Sequence, residues 1–278
     1  MERWELRRAR GKVRELHEGL PVRLATAAQV GRSVTFLEPV DRAVVLGSSQ
    51  PLAHVDASLC AARGVDVVRR NSGGGAVLVE PGSLLWVDVV VPAGDPLWCP
   101  DVGRAAWWLG DVWAAALSGL AAAGEPPVPG EPPVPGGFDA GGGFSAAGEP
   151  PVPRGLPAAG EPPVPGGFDA GGGFSVWRGP MRRTEWSATI CFAGIGAGEV
   201  VSIKSGAKVV GVSQRRSRQG AVFQCACLLR WEPTSLVELL ALSAAERTHA
   251  ISDLAEVATG IGHEMAGRAE AAFVQSLP

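Results

Sequence analysis

Apolar spacing divides the chain into strand-like and helix-like segments on either side of a stretch that has neither period. Residues 43–47 form a short unbroken apolar run and predict a buried strand, and 52–63 predict a helix stopping at Gly64, where a missing Cβ suits a helix end. Residues 65–70 and 75–80 predict a hairpin-like pair around a glycine turn, and 83–91 alternate as a third strand. After Pro100 a long apolar helix is expected over 101–123, with Asp101 as N-cap and Trp107, Trp108 and Trp113 mainly on its packing side. Beyond the aperiodic stretch, 185–192, 199–203, 208–214 and 221–229 predict four strands, and 234–241, 244–258 and 263–276 closing helices. The sum is an α+β fold: a mixed β-sheet with packed helices and a short C-terminal helical tail.

The aperiodic stretch, 124–180, is rich in Gly, Pro, Ala and Glu, and its 16-residue block GEPPVPGGFDAGGGFS at 130–145 recurs unchanged at 160–175. The nested, irregular repeats exclude a solenoid, and Pro-Pro and Gly-Gly-Gly steps predict a disordered insert. The expected organisation is one domain over 1–232, interrupted by that insert, and a tail over 233–278; 278 residues with 46% hydrophobic content suffice for one such core. A net charge of −3 supports no nucleic-acid-binding face. The charged amino terminus and the lack of a long apolar run predict a cytoplasmic protein without a membrane segment. Five cysteines without metal-ligand spacing predict neither a disulfide framework nor a metal site, and Cys225 and Cys227, two apart on a strand, are expected as core residues.

Chemistry concentrates at Arg69-Arg70-Asn71-Ser72-Gly73-Gly74-Gly75-Ala76-Val77. Three glycines let a ligand approach main-chain N–H groups without steric cost, so the turn is suited to an anion. Arg69 and Arg70 alternate, so one points into a site and the other away; Arg70, next to the turn, is the inward choice. Much later comes Gly206-Ala207-Lys208-Val209-Val210-Gly211-Val212-Ser213-Gln214, with Lys208 among apolar neighbours. A compact ammonium there favours a carboxylate or phosphate.

These two ordered motifs, with Pro81-Gly82-Ser83-Leu84 after the first, resemble the lipoate–protein ligase family, which shares the biotin/lipoate ligase catalytic fold. The resemblance spans about 25–120 and 180–232. It implies that Arg70, Ser72, Gly73, Gly74, Gly75 and Ala76 cradle an acyl chain and its adenylate phosphate, that Lys208 contacts carboxyl and phosphate, and that Gly211, Ser213 and Arg215 add ligand contacts. The cofactors so implied are ATP and Mg²⁺ and the substrate lipoate or octanoate. The implied partners are lipoyl carrier domains of 2-oxoacid dehydrogenases or the glycine cleavage H protein.

Cys191-Phe192 points to a second route. It is similar to the segment of octanoyltransferases of the same fold, in which a cysteine takes the acyl group as a thioester from acyl carrier protein without ATP. Lys208 near Cys191 would favour its thiolate, the nucleophilic form. Ligases usually have an Arg-Asn-Asp-like segment here, whereas the transferases' Pro-Ser-x-Tyr is replaced by 193–198, Ala-Gly-Ile-Gly-Ala-Gly. That glycine run also misses the dinucleotide pattern. The expected function is therefore a ligase-like acylation of a carrier lysine through an acyl-adenylate. The alternatives are Cys191-dependent octanoyl transfer and a non-catalytic binder of acyl or lipoyl domains.

Overall fold

The structure, a computed structural model, describes residues 4–124 and 173–278. In chain order the elements are β1 (Glu5–Gly11), α1 (Val13–Glu18), α2 (Leu20–Ala25), α3 (Ala27–Val30), β2 (Ser33–Pro39), β3 (Arg42–Leu46), α4 (Ala57–Ala62), β4 (Val65–Arg69), β5 (Val77–Val79) and β6 (Leu84–Pro92). They continue with α5 (Trp107–Gly124), β7 (Phe174–Val176), β8 (Val200–Ser202), β9 (Lys208–Arg216), β10 (Gly220–Leu228), α6 (Pro233–Val237), α7 (Ala244–Leu254) and α8 (Ala266–Gln275). The α+β class follows, with two sheets: seven strands in the order β1-β2-β6-β10-β9-β8-β7, and three in the order β4-β3-β5.

The alternating β6 and β10 pair antiparallel from Leu84↔Leu228 to Pro92↔Gly220 and form the middle of the large sheet. Their Val87, Val89, Val91, Phe223, Cys225 and Cys227 face α5 and α8 in one core. Leu84, Trp86 and Leu228 face the small sheet's Val45, Val77 and Val79 in another. A third core joins the small sheet to α4, α6 and α7.

Several sequence expectations are corrected. The strands flanking the glycine turn do not form a hairpin: β3 lies between them, parallel to β4 and antiparallel to β5. The predicted helix over 52–63 splits into a 3₁₀ turn, Leu52–His54, and α4, because the Asp56 carboxylate caps the Leu59 N–H at 2.9 Å and starts a new helix. Residues 185–192 form two 3₁₀ turns, Glu185–Ala188 and Cys191–Ala193, instead of a strand. There the Ser187 hydroxyl accepts from the Thr184 N–H and donates to the Ala193 carbonyl, so side-chain bonds take the place of a ladder. Helix α5 starts at Trp107, not Asp101; Trp113 is fully buried, while Trp107 and Trp108 are half-buried.

The insert's expected end at 180 is also corrected. Residues 125–172, with the predicted disorder, lie outside the described residues, but the end of the second repeat copy forms β7, paired with β8 from Phe174↔Ser202 to Val176↔Val200. The tail packs into the cores of the domain through Leu236, Leu240 and Leu254 on one side and Phe273 on the other. The amino-terminal elements β1 to β2 had no counterpart in the pattern reading; they supply the large sheet's one parallel pair.

Candidate active site

A cavity of about 220 Å³ opens between the two sheets. Its apolar wall is Val45, Val77 and Val79 of the small sheet with Leu84, Trp86, Val212 and Ala226 of the large one. Its polar rim is Arg70, the three turn glycines, Ser187, Cys191, Glu199, Lys208 and Ser213.

Arg70 is 8% exposed and its Nη2 donates to the Gly73 carbonyl at 2.8 Å, the Gly75 carbonyl at 3.1 Å and the Cys191 sulfur at 3.5 Å. Arg69 points away, donating through Nη1 to the carbonyls of Gly47, Ser48 and Gln50. The turn is stitched to the 3₁₀ segment by Ala76 N–H to Thr189 O, 2.7 Å, and Cys191 N–H to Ala76 O, 3.0 Å. Gly75 allows this approach, because a methyl there would sit 2.6 Å from the backbone N and C of Ile190. Gly74 takes φ +101, where a side chain would also meet Arg70. Ser72 donates to the Ser213 hydroxyl at 3.0 Å, joining the turn to β9.

Lys208, 1% exposed, meets three acceptors: Glu199 Oε2 at 2.7 Å, Gly194 O at 3.0 Å and Cys191 O at 3.2 Å. Its ammonium also lies 4.9 Å from the centre of the Phe192 ring. Glu199 in turn accepts from the Gly196 N–H at 2.6 Å and the Val212 N–H at 3.1 Å. An ammonium has three N–H bonds, so every donor on Lys208 is engaged and its charge is balanced inside the protein. Gly211 leaves room for this arrangement: a methyl there would be 3.4 Å from Lys208 Cε and 3.3 Å from Phe192 Cζ.

Of the residues singled out from sequence, Arg70, Gly73, Gly74, Gly75, Cys191, Lys208, Gly211 and Ser213 line the cavity. Ser72 and Ala76 are buried immediately behind them. Arg215 is exposed and reaches only the Asn71 carbonyl, at 3.5 Å, outside the lining. The cation at the Cys191 sulfur is Arg70, while Lys208 meets the carbonyl of the same residue. Sequence reasoning missed Glu199 as an ion-pair partner, although a lysine in an apolar strand requires a buried counter-charge. It also missed His17, Trp86 and Gln224 on the wall.

Cys225 and Cys227 are fully buried, and burial pushes the Cys225 thiol up to about 12 and the Cys227 thiol up as well. Both are packing residues. Among the described residues, one group, Glu185, His249 and Asp253, comes close enough to share an ion, and it is exposed on the surface. No helix among them is long and apolar enough to cross a membrane.

Residues 22–101 match the model of the lipoyl protein ligase A/B catalytic domain. The match includes the glycine turn; Cys191 and Lys208 lie beyond it. A search of curated protein sequences returns no match. Among solved structures, the bipartite lipoate protein ligase of Thermoplasma acidophilum, described with its E2 lipoyl domain, aligns with a TM-score of 0.61 at 13% identity, over 98% of this chain and 81% of that one. A lipoate–protein ligase A bound with ATP gives 0.53 at 16% identity, over 99% and 83%. The T. acidophilum protein Ta0514 with bound lipoic acid gives 0.50 at 14% identity, over 98% and 92%. The chain therefore has the catalytic fold of the lipoate–protein ligases.

Proposed function

We propose that this protein transfers a medium-chain acyl group, octanoyl or lipoyl, to a lysine of a lipoyl carrier domain, with Cys191 holding the acyl group between donor and acceptor. The observation that carries the cysteine route is the division of labour at the rim. Cys191 lines the cavity and its sulfur is 3.5 Å from Arg70 Nη2, while all three donors of Lys208 are engaged by Glu199 and two carbonyls. Lys208 then acts as a positioning residue, because the carbonyls it holds belong to Cys191 itself and to Gly194.

In the first half-reaction the sulfur of Cys191 bonds to the carbonyl carbon of an acyl thioester, the donor's carbon–sulfur bond breaks, and the thiol proton leaves with the donor thiol. In the second, a neutral carrier lysine forms the amide, the bond to Cys191 breaks, and the proton from nitrogen returns to sulfur. Arg70 faces the sulfur in both. The apolar wall holds the chain, and the relatives' bound lipoic acid and companion lipoyl domain support this substrate and partner class. This reading requires an acyl thioester as donor, and octanoyl-acyl carrier protein is the donor proposed.

The ATP-dependent route fits the residues less well. An adenylate phosphate would have to displace Gly194 or Cys191 from Lys208, and Glu199, the one carboxylate on the described lining, is already bound and offers no magnesium ligand. No step is assigned to ATP or Mg²⁺.

Intact mass spectrometry of a lipoyl domain, incubated with the protein and octanoyl-acyl carrier protein, should show acylation and an octanoyl adduct on the protein, both absent in Cys191→Ser. Acylation only with ATP, Mg²⁺ and free acid would establish the adenylate route. No acylation in either mixture would leave a non-catalytic acyl or lipoyl-domain binder.

A further inference from the structure

On the face of the large sheet that carries Trp86, a row of polar residues reaches the cavity through two of its members, Gln224 and Ser213. Directly opposed residues on four neighbouring strands form a polar row, Thr35 on β2, Asp88 on β6, Gln224 on β10 and Ser213 on β9. Asp88 is fully buried; it accepts from Arg23 at 2.6 Å and from Gln224 Nε2 at 3.2 Å. Burial raises the Asp88 pKa while the Arg23 guanidinium opposes it, and the Gln224 amide is placed with its nitrogen donating to Asp88 and its oxygen turned away from it. That oxygen is buried and no donor among the described residues reaches it.

His17, on α1, lies over Trp86 with ring centroids 4.5 Å apart. Trp86 is two residues from Asp88 on the same strand face, and Gln224 is opposite Asp88, so His17 packs on the sheet face that carries Gln224. His17 is 6% and Gln224 7% exposed, and both line the cavity. His17 Nδ1 is buried without a partner, as is Arg70 Nε. Leaving buried polar groups unpaired is costly, so a wall built this way discriminates in favour of whatever completes it.

We propose that His17 and Gln224 form a polar subsite in the acyl cavity that recognises a hydroxyl on the acyl chain. This rests on the acyl-transfer reading above and names its substrate class more closely. A hydroxyl matches the pair chemically, since it donates to the Gln224 oxygen and accepts from an imidazole N–H, whereas a plain alkyl chain does neither. A purely apolar tunnel discriminates weakly against an added hydroxyl, while a site with unpaired polar groups rejects the chain that lacks it much more strongly.

The test uses binding, which needs no turnover. Titration calorimetry of the full chain with octanoate and with ω-hydroxyoctanoate should show the hydroxy acid bound roughly tenfold or more tightly. Gln224→Met and His17→Phe should each remove or invert that preference, and His17→Gln, which keeps a donor and an acceptor, should retain part of it and guards against a variant that fails to fold. Equal or tighter binding of octanoate by the wild type, a preference unchanged in both apolar variants, or no binding of either acid would overturn the subsite. Carrier acylation with no hydroxyl preference would sink the subsite alone. A hydroxyl preference without acylation would instead sink only the proposed transfer.

Discussion

Glu199 shows how one residue decides what its neighbour can do. Without it, Lys208 would be a buried cation with two carbonyls for company; with it, the ammonium is neutralised and fixed. Glu199→Gln leaves that cation uncompensated, and we expect a loss of about 3–5 kcal/mol in urea denaturation. A loss under about 1 kcal/mol, the range of exposed pairs, would mean that the pair is hydrated. His17 supplies a pH-dependent counterpart. Burial, with the charges of Arg70 and Arg23 adding to it, lowers its pKa from 6.5 to about 3. Between those values the unfolded chain binds a proton that the folded chain refuses. Stability attributable to His17 is therefore constant above pH 6.5 and falls as pH drops toward 3, by up to about 1.4 kcal/mol per unit. Denaturation midpoints from pH 7 to 4 should fall less steeply for His17→Gln than for the wild type; parallel curves would refute the assignment. Arg70, Cys191 and Lys208 were legible as residues because motifs carry them. Glu199 and His17 were not, since an ion pair and a buried imidazole depend on partners far along the chain.

At the scale of elements, the glycine turn separates position from composition. Gly73 has open space around its α-carbon, whereas a methyl on Gly75 would collide with the Ile190 backbone and one on Gly74 would also need a left-handed φ. Gly73→Ala should therefore leave the melting temperature near wild type, while Gly75→Ala should cost about 1–3 kcal/mol by forcing the 3₁₀ segment away, and with it Cys191. Similar effects from the two substitutions in thermal unfolding and acyl transfer would show that the turn is not anchored at Ile190. The sequence marked the turn and the direction of Arg70, but not the strand order around it. Two apolar runs beside a turn read as a hairpin; that β3 lies between them is settled by the parallel pairing through α4, which local pattern does not encode.

For the whole molecule, the carboxyl-terminal helices belong to the core that carries the site. Phe273 is fully buried, 4.3 Å from the Trp113 ring and 6.5 Å from that of Phe36. We expect Phe273→Ala to cost about 3–5 kcal/mol in a single cooperative transition; a separate low-temperature transition would indicate a tail that unfolds alone. The duplicated segment admits a related check. Since β7 completes the sheet edge and packs against α5, a deletion confined to 130–165 should preserve the melting temperature, while one extending through Val176 should lower it.

By itself the sequence determined the α+β class, most central strands, the two motif-bearing segments, and Cys225 and Cys227 as core residues, because alternation, glycine and small-residue chemistry act over a few positions. The tertiary structure alone decided that Arg70 faces the Cys191 sulfur, that Lys208 is paired with Glu199, and that Gln224 and Ser213 of a polar row reach the cavity. Each of these depends on strands brought side by side from distant parts of the chain, and burial makes their unpaired charges and hydrogen-bonding groups costly enough to matter.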